Sequence, residues 1–256
     1  MVFTEGVVDA AGFSIRYWEA GQGRPMLMLD QTGWQDTMLH DALAEKYQVF
    51  SLELAGMGES AVNTTSQSVG DLATVAAAAA TALTSDKYTI IGTSFGANVA
   101  LFHAMQSPDQ VEALILVSPT AILPQEPPPN ATSEEVHAMM FAHSENAQKF
   151  NPLSAQVFAK EKELIQRLGH DAAVEAKLAD IHCPTLAIFG KNDRLVSPEA
   201  ARVYREKIPN CNIAIVYDAG HCIVGDRPEA FVNSVVDYSE HWETFIVGHQ
   251  SGLIYP

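Results

Sequence analysis

The sequence has few cysteines, few basic residues and no long apolar run. Its three cysteines, Cys183, Cys211 and Cys222, are too few for a disulfide framework and lack the ligand spacing of a zinc site. Reduced thiols are therefore the simplest interpretation. The first residues show neither the basic start nor the apolar stretch of a secretory signal. Together these features predict a cytoplasmic protein.

Basic side chains are scarce, because fifteen Lys and Arg stand against thirty-one Asp and Glu and the formal net charge is -16. Such a surface repels phosphate groups, so we expect neither nucleic acid nor an anionic membrane as a partner. No stretch approaches the roughly 18 consecutive apolar residues of a membrane-spanning helix. With 47% hydrophobic residues over 256 positions, the chain is typical of one globular unit with a large core. Its oligomeric state is left open.

Strand-like and helix-like segments alternate along most of the chain. Extended segments on both sides of Ala11-Gly12 predict an opening hairpin. Apolar runs predict strands at residues 26–29, 49–52, 88–91, 111–117, 185–189 and 213–216, and spaced apolar residues predict helices at 34–46, 72–83, 97–105, 198–207 and 228–242. Strands joined by helices predict an α/β fold, with a doubly wound, mostly parallel sheet and the hairpin at its antiparallel edge.

Residues 120–180 interrupt this alternation, because they contain no strand-like run. Thr132-Ser133-Glu134-Glu135 predicts the start of a helix, and further helical segments are predicted at 152–168 and 171–178. The stretch is much longer than an ordinary connection. We predict a helical lid inserted between two strands, with residues 1–119 and 181–256 forming the core domain. Plain surface helices are the alternative.

A G-x-S-x-G motif, Gly92-Thr93-Ser94-Phe95-Gly96, follows the predicted strand 88–91 and precedes a predicted helix. In this strand–turn–helix context the two glycines permit a tight turn that presents the Ser94 hydroxyl above the sheet. The bare pattern also arises by chance, so the context carries the argument. The motif predicts that Ser94 is a nucleophile.

A serine nucleophile needs a base, and the base needs a carboxylate that holds its tautomer. Of the nine histidines, His221 follows the last predicted strand within Ala219-Gly220-His221, at the sheet edge where α/β folds place their sites. Asp193 follows the strand predicted at 185–189, although an ordinary turn aspartate would look the same. The order Ser94, Asp193, His221 matches that of a hydrolase triad.

These motifs resemble the α/β-hydrolase superfamily, in particular its small lidded serine esterases, lactonases and C–C hydrolases. Residues 53–60 are similar to the D-x-x-G-x-G-x-S loop of that family, with Glu53 in place of its aspartate. The resemblance implies a triad of Ser94, Asp193 and His221 and an oxyanion hole formed by the backbone N–H groups of Thr32 and Phe95. It implies no cofactor and no metal. The chain departs from the family at Asp30-Gln31, where His-Gly is usual.

The leading hypothesis is a serine hydrolase that cleaves a small to medium, largely apolar ester, thioester or lactone through an acyl-enzyme on Ser94. Alternatives that keep the triad are a C–C bond hydrolase, a cofactor-free perhydrolase and a lyase, and a slow-turnover ligand sensor is a further one. Cys222 follows His221 where C–C hydrolases often carry Trp, which disfavours that reaction. The apolar lid residues fit a substrate pocket and a lid core equally well; they are Met139, Met140, Phe141, Phe150 and Phe158.

Overall fold

The strands of this protein form one sheet, seen in a computed structural model that describes residues 1–30, 34–125, 127–171 and 173–244 and the backbone of residues 254 and 255. The sheet has nine strands in the order β1-β2-β4-β3-β5-β6-β7-β8-β9. The strands are β1 (Thr4–Ala10), β2 (Phe13–Ala20), β3 (Pro25–Asp30), β4 (Gln48–Glu53), β5 (Tyr88–Thr93), β6 (Val111–Val117), β7 (Thr185–Gly190), β8 (Cys211–Val216) and β9 (Ile254–Tyr255).

Most neighbouring strands run parallel, and the antiparallel pairs lie at one edge. β1 and β2 form a hairpin whose turn residues, Ala11 and Gly12, have positive φ angles of 49° and 85°, the conformation that a tight hairpin turn requires. β2 also pairs antiparallel with β4. The other neighbours pair parallel. The predicted α/β fold with its antiparallel edge is therefore confirmed.

Helices cover both faces of the sheet. α1 (Met38–Ala44), the short helix α9 (Ile223–Asp226) and α10 (Pro228–His241) pack on one face, and α2 (Val69–Leu83), α3 (Phe95–Gln106) and α8 (Ala200–Lys207) pack on the other. Alternate residues of β3 point to opposite faces of the sheet. Met26 and Met28 therefore pack on the side of α1 and α10, and Leu27 and Leu29 pack on the side of α2 and α3. Burial on both faces explains why the central strands are continuous apolar runs.

The long segment between β6 and β7 is helical. It contains α4 (Ser133–Met139), α5 (Ser144–Ala147), α6 (Ala155–Leu168), α7 (Val174–Lys177) and a 3-10 turn at Leu178–Asp180. The predicted start of α4 is a capping box, in which the Thr132 hydroxyl accepts from the Glu135 N–H and the Glu135 carboxylate accepts from the Thr132 N–H. In the described part of the chain, no helix is long and apolar enough to cross a membrane.

The first predicted helix and the last strand differ from the sequence-based expectation. The helix predicted at 34–46 begins only at Met38, and Trp34 instead stacks on Trp18 of β2 with ring centroids 5.2 Å apart. A contact with a distant strand thus outweighs local helical spacing at this position. β9 was not predicted, because two residues are too few to show an alternating pattern.

Candidate active site

Ser94 lies in the sharp turn between β5 and α3. Its φ and ψ angles are 55° and −120°, a conformation that costs energy for any residue other than glycine. The flanking glycines make the turn possible, because a Cβ on Gly96 would lie 2.0 Å from the Leu29 carbonyl oxygen and one on Gly92 would lie 2.5 Å from the Ala97 Cα. The strained turn therefore needs both glycines, as the motif predicts.

The structure brings the three predicted triad residues together. Asp193 follows β7 and His221 follows β8, at the sheet edge where β5 ends at Thr93. His221 Nε2 lies 2.8 Å from Ser94 Oγ, and His221 Nδ1 lies 2.9 Å from Asp193 Oδ2. All three residues are buried. Residues up to 127 positions apart thus form one continuous hydrogen-bonded chain.

The Asp193 carboxylate is fixed by its own loop. Its Oδ1 accepts hydrogen bonds from the backbone N–H groups of Leu195 and Val196, at 2.8 and 3.0 Å, which leaves Oδ2 for His221. Because a carboxylate can only accept, Nδ1 of His221 must donate, and Nε2 is then free to accept the Ser94 hydroxyl proton. The arrangement can activate a serine hydroxyl for attack on a carbonyl.

Of the two predicted oxyanion-hole residues, Phe95 lies in the part of the chain that the structure describes. Phe95 is the first residue of α3, so its N–H lies at the helix N-terminus, where the helix dipole favours negative charge. Its side chain is buried and lines the cavity in front of Ser94. Thr32 lies outside the described residues, as does Gln31 of the atypical loop.

A cavity of about 720 Å³ opens in front of Ser94. It lies between the carboxyl ends of the strands and the helical segment that joins β6 to β7, and most of its wall is apolar. Among the lid residues singled out in the sequence, Met140, Phe141, Phe150 and Phe158 line it. Its size and wall suit a small to medium organic molecule.

Residues 140–146 of the helical segment are hydrogen-bonded to the part of the chain that carries His221. Asp226 Oδ2 accepts from the backbone N–H groups of Gly220 and Ala142, each at 2.8 Å, and Asp226 Oδ1 accepts from Asn146 Nδ2 at 2.9 Å. The Cys222 N–H donates to the Met140 carbonyl at 2.7 Å. Residues 140–142 therefore press directly against the loop of the predicted base.

A second set of bonds joins the helical segment to the Asp193 loop and to the loop that follows β4. Arg194 Nη2 donates to the Phe141 carbonyl at 2.9 Å. On α6, Glu161 Oε1 accepts from the Gly58 N–H at 2.9 Å, and Lys160 Nζ donates to the carbonyls of Gly58 and Ser60 at 2.7 Å each. The helical segment is thus held at two separate places above the cavity.

Cys222 and His40 are among the other titratable side chains that line the cavity. Burial raises the pKa of the Cys222 thiol to about 12, so this group is a neutral thiol at pH 7 and a poor nucleophile. Burial also lowers the pKa of His40, against the opposing charge of Asp30, whose Oδ2 lies 3.8 Å from His40 Nε2. Within the described ranges, no group of three or more His, Cys, Asp or Glu side chains could hold a metal ion.

Asp226, His40 and Arg194 were not identified from the sequence. Asp226 had a partial signal, because it stands in the segment Asp226-Arg227-Pro228 that resembles the family pattern. His40 had none beyond its place in a predicted helix. The partners of Arg194 and Asp226 in the helical segment lie 53 and 84 positions away along the chain.

Comparison with known proteins gives consistent matches. The alpha/beta hydrolase family model matches residues 20–234. The 2-hydroxy-6-oxononadienedioate/2-hydroxy-6-oxononatrienedioate hydrolase 2 of Pseudomonas putida is 23% identical over an alignment 272 positions long, which covers 93% of this chain and 94% of that protein.

Solved structures of esterases also superpose on the chain. An esterase from Exiguobacterium antarcticum matches with a TM-score of 0.75 and 22% identity, covering 93% of this chain and 100% of that one. A thermophilic esterase from Thermogutta terrifontis matches with a TM-score of 0.77 and 21% identity, covering 95% and 100%. At these identities the structural likeness establishes the fold alone.

Proposed function

The chain belongs to the alpha/beta hydrolase family, and from that premise we propose that it is a serine hydrolase acting through an acyl-enzyme on Ser94. The observation that carries the proposal is the hydrogen-bonded chain Ser94–His221–Asp193 at the cavity, with distances of 2.8 and 2.9 Å. A buried histidine between a hydroxyl and a carboxylate is what general-base activation of a serine needs.

In the proposed reaction, His221 Nε2 takes the Ser94 proton as Oγ attacks the substrate carbonyl. Asp193 holds the imidazole by its Nδ1–H and stabilises the imidazolium that forms. The proton then passes to the leaving group, and a water molecule activated by the same histidine releases the acyl group from Ser94. Cys222 does not compete as a nucleophile, because its thiol stays protonated.

We propose that two backbone N–H groups form the oxyanion hole. Phe95 is proposed as one backbone donor because its N–H begins α3, directly after the nucleophile. Thr32 is proposed as the other donor on the family resemblance. A crystal structure of a phosphonate adduct on Ser94 tests both, since each N–H should lie within about 3 Å of the phosphoryl oxygen.

We propose that the substrate is a small to medium, largely apolar ester, thioester or lactone. The cavity is large enough for such a molecule, and its wall is mainly apolar, with Met140, Phe141 and Phe150 among its members. We further propose that residues 120–180 act as a roof over this cavity. The bonds from Asp226 and Lys160 support that role.

The proposal is tested with the purified protein, a fluorophosphonate probe and a panel of p-nitrophenyl esters. Wild type should hydrolyse esters and take up one probe molecule on Ser94, detected by mass spectrometry. Ser94→Ala should lose both, with residual hydrolysis below about one thousandth of wild type. Ser85→Ala, an exposed turn residue, is the matched control and should behave as wild type. Labelling at another residue would contradict the proposal.

C–C bond hydrolysis is the second candidate, favoured by the match to the Pseudomonas putida hydrolase over 93% of this chain. The two reactions share the triad and differ in the bond that is cleaved. Parallel assays with the ester panel and with the substrate named for that relative separate them by kcat/KM. A single burst of product followed by no turnover would instead indicate a ligand sensor.

A further inference from the structure

Asn98 lies on the face of α3 that carries the nucleophile. Ser94, Asn98 and Phe102 follow one another at intervals of four residues, the spacing that places side chains on one face of a helix, and all three line the cavity. Four residues of helix span about 6 Å. Asn98 therefore lies about one helical turn from the reacting serine.

Asn98 is only 8% exposed, and its amide is half satisfied. Its Nδ2 donates to Thr120 Oγ1 at 2.7 Å, whereas its Oδ1 has no hydrogen-bond partner within the described part of the chain. A buried acceptor without a donor costs free energy, and native proteins keep few of them. A ligand that brings a donor to this place would remove the cost.

Thr120 completes the polar patch. It follows β6, is half-buried and lines the same cavity. Because its oxygen accepts from Asn98, its own hydroxyl proton can be directed to another acceptor. Asn98 Oδ1 is thus an acceptor and the Thr120 hydroxyl a donor, side by side in the cavity wall. The wall around them includes the apolar residues Phe95, Phe102 and Ala121.

We infer that Asn98 and Thr120 form a recognition subsite for a hydroxyl or amide group carried by the substrate close to its scissile carbonyl. The inference rests on the proposed function, which it narrows to largely apolar esters with one polar group near the reacting bond. A substrate hydroxyl donates to Asn98 Oδ1 and accepts from the Thr120 hydroxyl. A plain alkyl chain packs in the same place but leaves Asn98 Oδ1 unpaired.

The test compares substrates that differ in one group. The acyl series is p-nitrophenyl hexanoate, its β-hydroxy form and its β-methoxy form, and an alcohol series carries the same substituents on the other side of the ester. Sites built to bond a substrate hydroxyl discriminate strongly against analogues without it. We expect wild type to prefer the hydroxy ester by about tenfold to a hundredfold in kcat/KM in at least one series. The methoxy ester should be hydrolysed less well than the hydroxy ester, since its oxygen can accept from Thr120 but it has no proton to donate to Asn98 Oδ1.

Variants assign the preference to the pair. Asn98→Leu and Thr120→Val should each bring the hydroxy-to-plain ratio of kcat/KM towards one, and Thr120→Ser should retain it because the hydroxyl remains. Thr74→Val is the matched control, since Thr74 is an exposed residue of α2 that does not line the cavity, and it should keep the wild-type ratio. Thermal unfolding is measured for every variant.

Three outcomes would overturn the inference. The first is a wild-type ratio near one in both series while the plain ester is hydrolysed, which leaves the proposed function intact. The second is an Asn98→Leu variant that unfolds at lower temperature and loses activity on all esters equally, which would make Asn98 a structural brace. If no ester is hydrolysed, the proposed function is wrong, and calorimetric binding of the same esters to Ser94→Ala then tests the subsite by itself. The third outcome is that Ser94→Ala binds the hydroxy and the plain ester with equal affinity.

Discussion

We predict that Asp226 positions His221, the proposed base, although its carboxylate bonds none of the three proposed triad side chains. Its carboxylate accepts from the backbone N–H of Gly220, the residue before His221, and from the N–H of Ala142 in the helical segment. The bond to Asn146 Nδ2 holds the second carboxylate oxygen. Removing the carboxylate therefore releases both the loop that carries His221 and the part of the helical segment around Ala142.

The size of the effect follows from the bonds that are lost. Asp226→Ala leaves the buried Gly220 N–H without its acceptor, at a cost of about 1–3 kcal/mol, and the partly buried Ala142 N–H costs less. Asp226→Asn can keep one oxygen for both N–H groups, but it loses the charge, and its amide nitrogen cannot accept from Asn146 Nδ2, which together cost roughly 1–2 kcal/mol. A small displacement of a catalytic group lowers the rate steeply, so we expect kcat to fall about tenfold to a hundredfold for Ala and less for Asn.

The assay measures kcat and KM on a p-nitrophenyl ester and the rate of fluorophosphonate labelling of Ser94, which depends on the base and not on substrate release. Labelling should slow in the same order as kcat, with Asn between Ala and wild type. Asp237→Ala is the control, because Asp237 lies on α10 and pairs with His241 near the surface. If Asp226→Ala lowers the unfolding temperature but labels at the wild-type rate, Asp226 has no positioning role.

The remaining predictions concern the elbow and acid stability. Gly96→Ala should lower the unfolding temperature and abolish labelling, since its Cβ would meet the Leu29 carbonyl oxygen at 2.0 Å. Gly70→Ala is the control and should be tolerated, because the atom nearest to a Cβ on Gly70 of α2 is the flexible end of the Gln106 side chain. Equal unfolding temperatures for the two variants would refute the argument. Burial lowers the pKa of His103, which bonds the Tyr88 hydroxyl at 2.7 Å, to about 4 from 6.5. The unfolded chain therefore binds this proton first, so roughly 3 kcal/mol of stability present above pH 6.5 should be lost as pH falls towards 4. Denaturant unfolding at several pH values should show this slope for wild type and a smaller one for His103→Gln, and parallel curves would contradict it.

The meeting of Ser94, Asp193 and His221 was predictable because each of these residues stands at a point that the local sequence marks. Ser94 lies between two glycines after an apolar run, and Asp193 and His221 each follow another apolar run. Parallel strands bring their carboxyl ends to one edge of the sheet, so residues that follow different strands converge without any local signal of contact. Strand ends and chain order were sufficient to predict that these three residues lie together.

The sequence by itself also determined the start of α4, because a capping box is complete within four residues, from Thr132 to Glu135. Only the tertiary structure decided the hydrogen-bond partners of Asp226 and Asn98. Asp226 meets Ala142 across 84 positions, and Asn98 meets Thr120 across 22. Each of these hydrogen bonds depends on the exact distance between two side chains or loops, set by the packing of whole elements. Such a distance leaves no periodicity, no motif and no compositional trace in the chain.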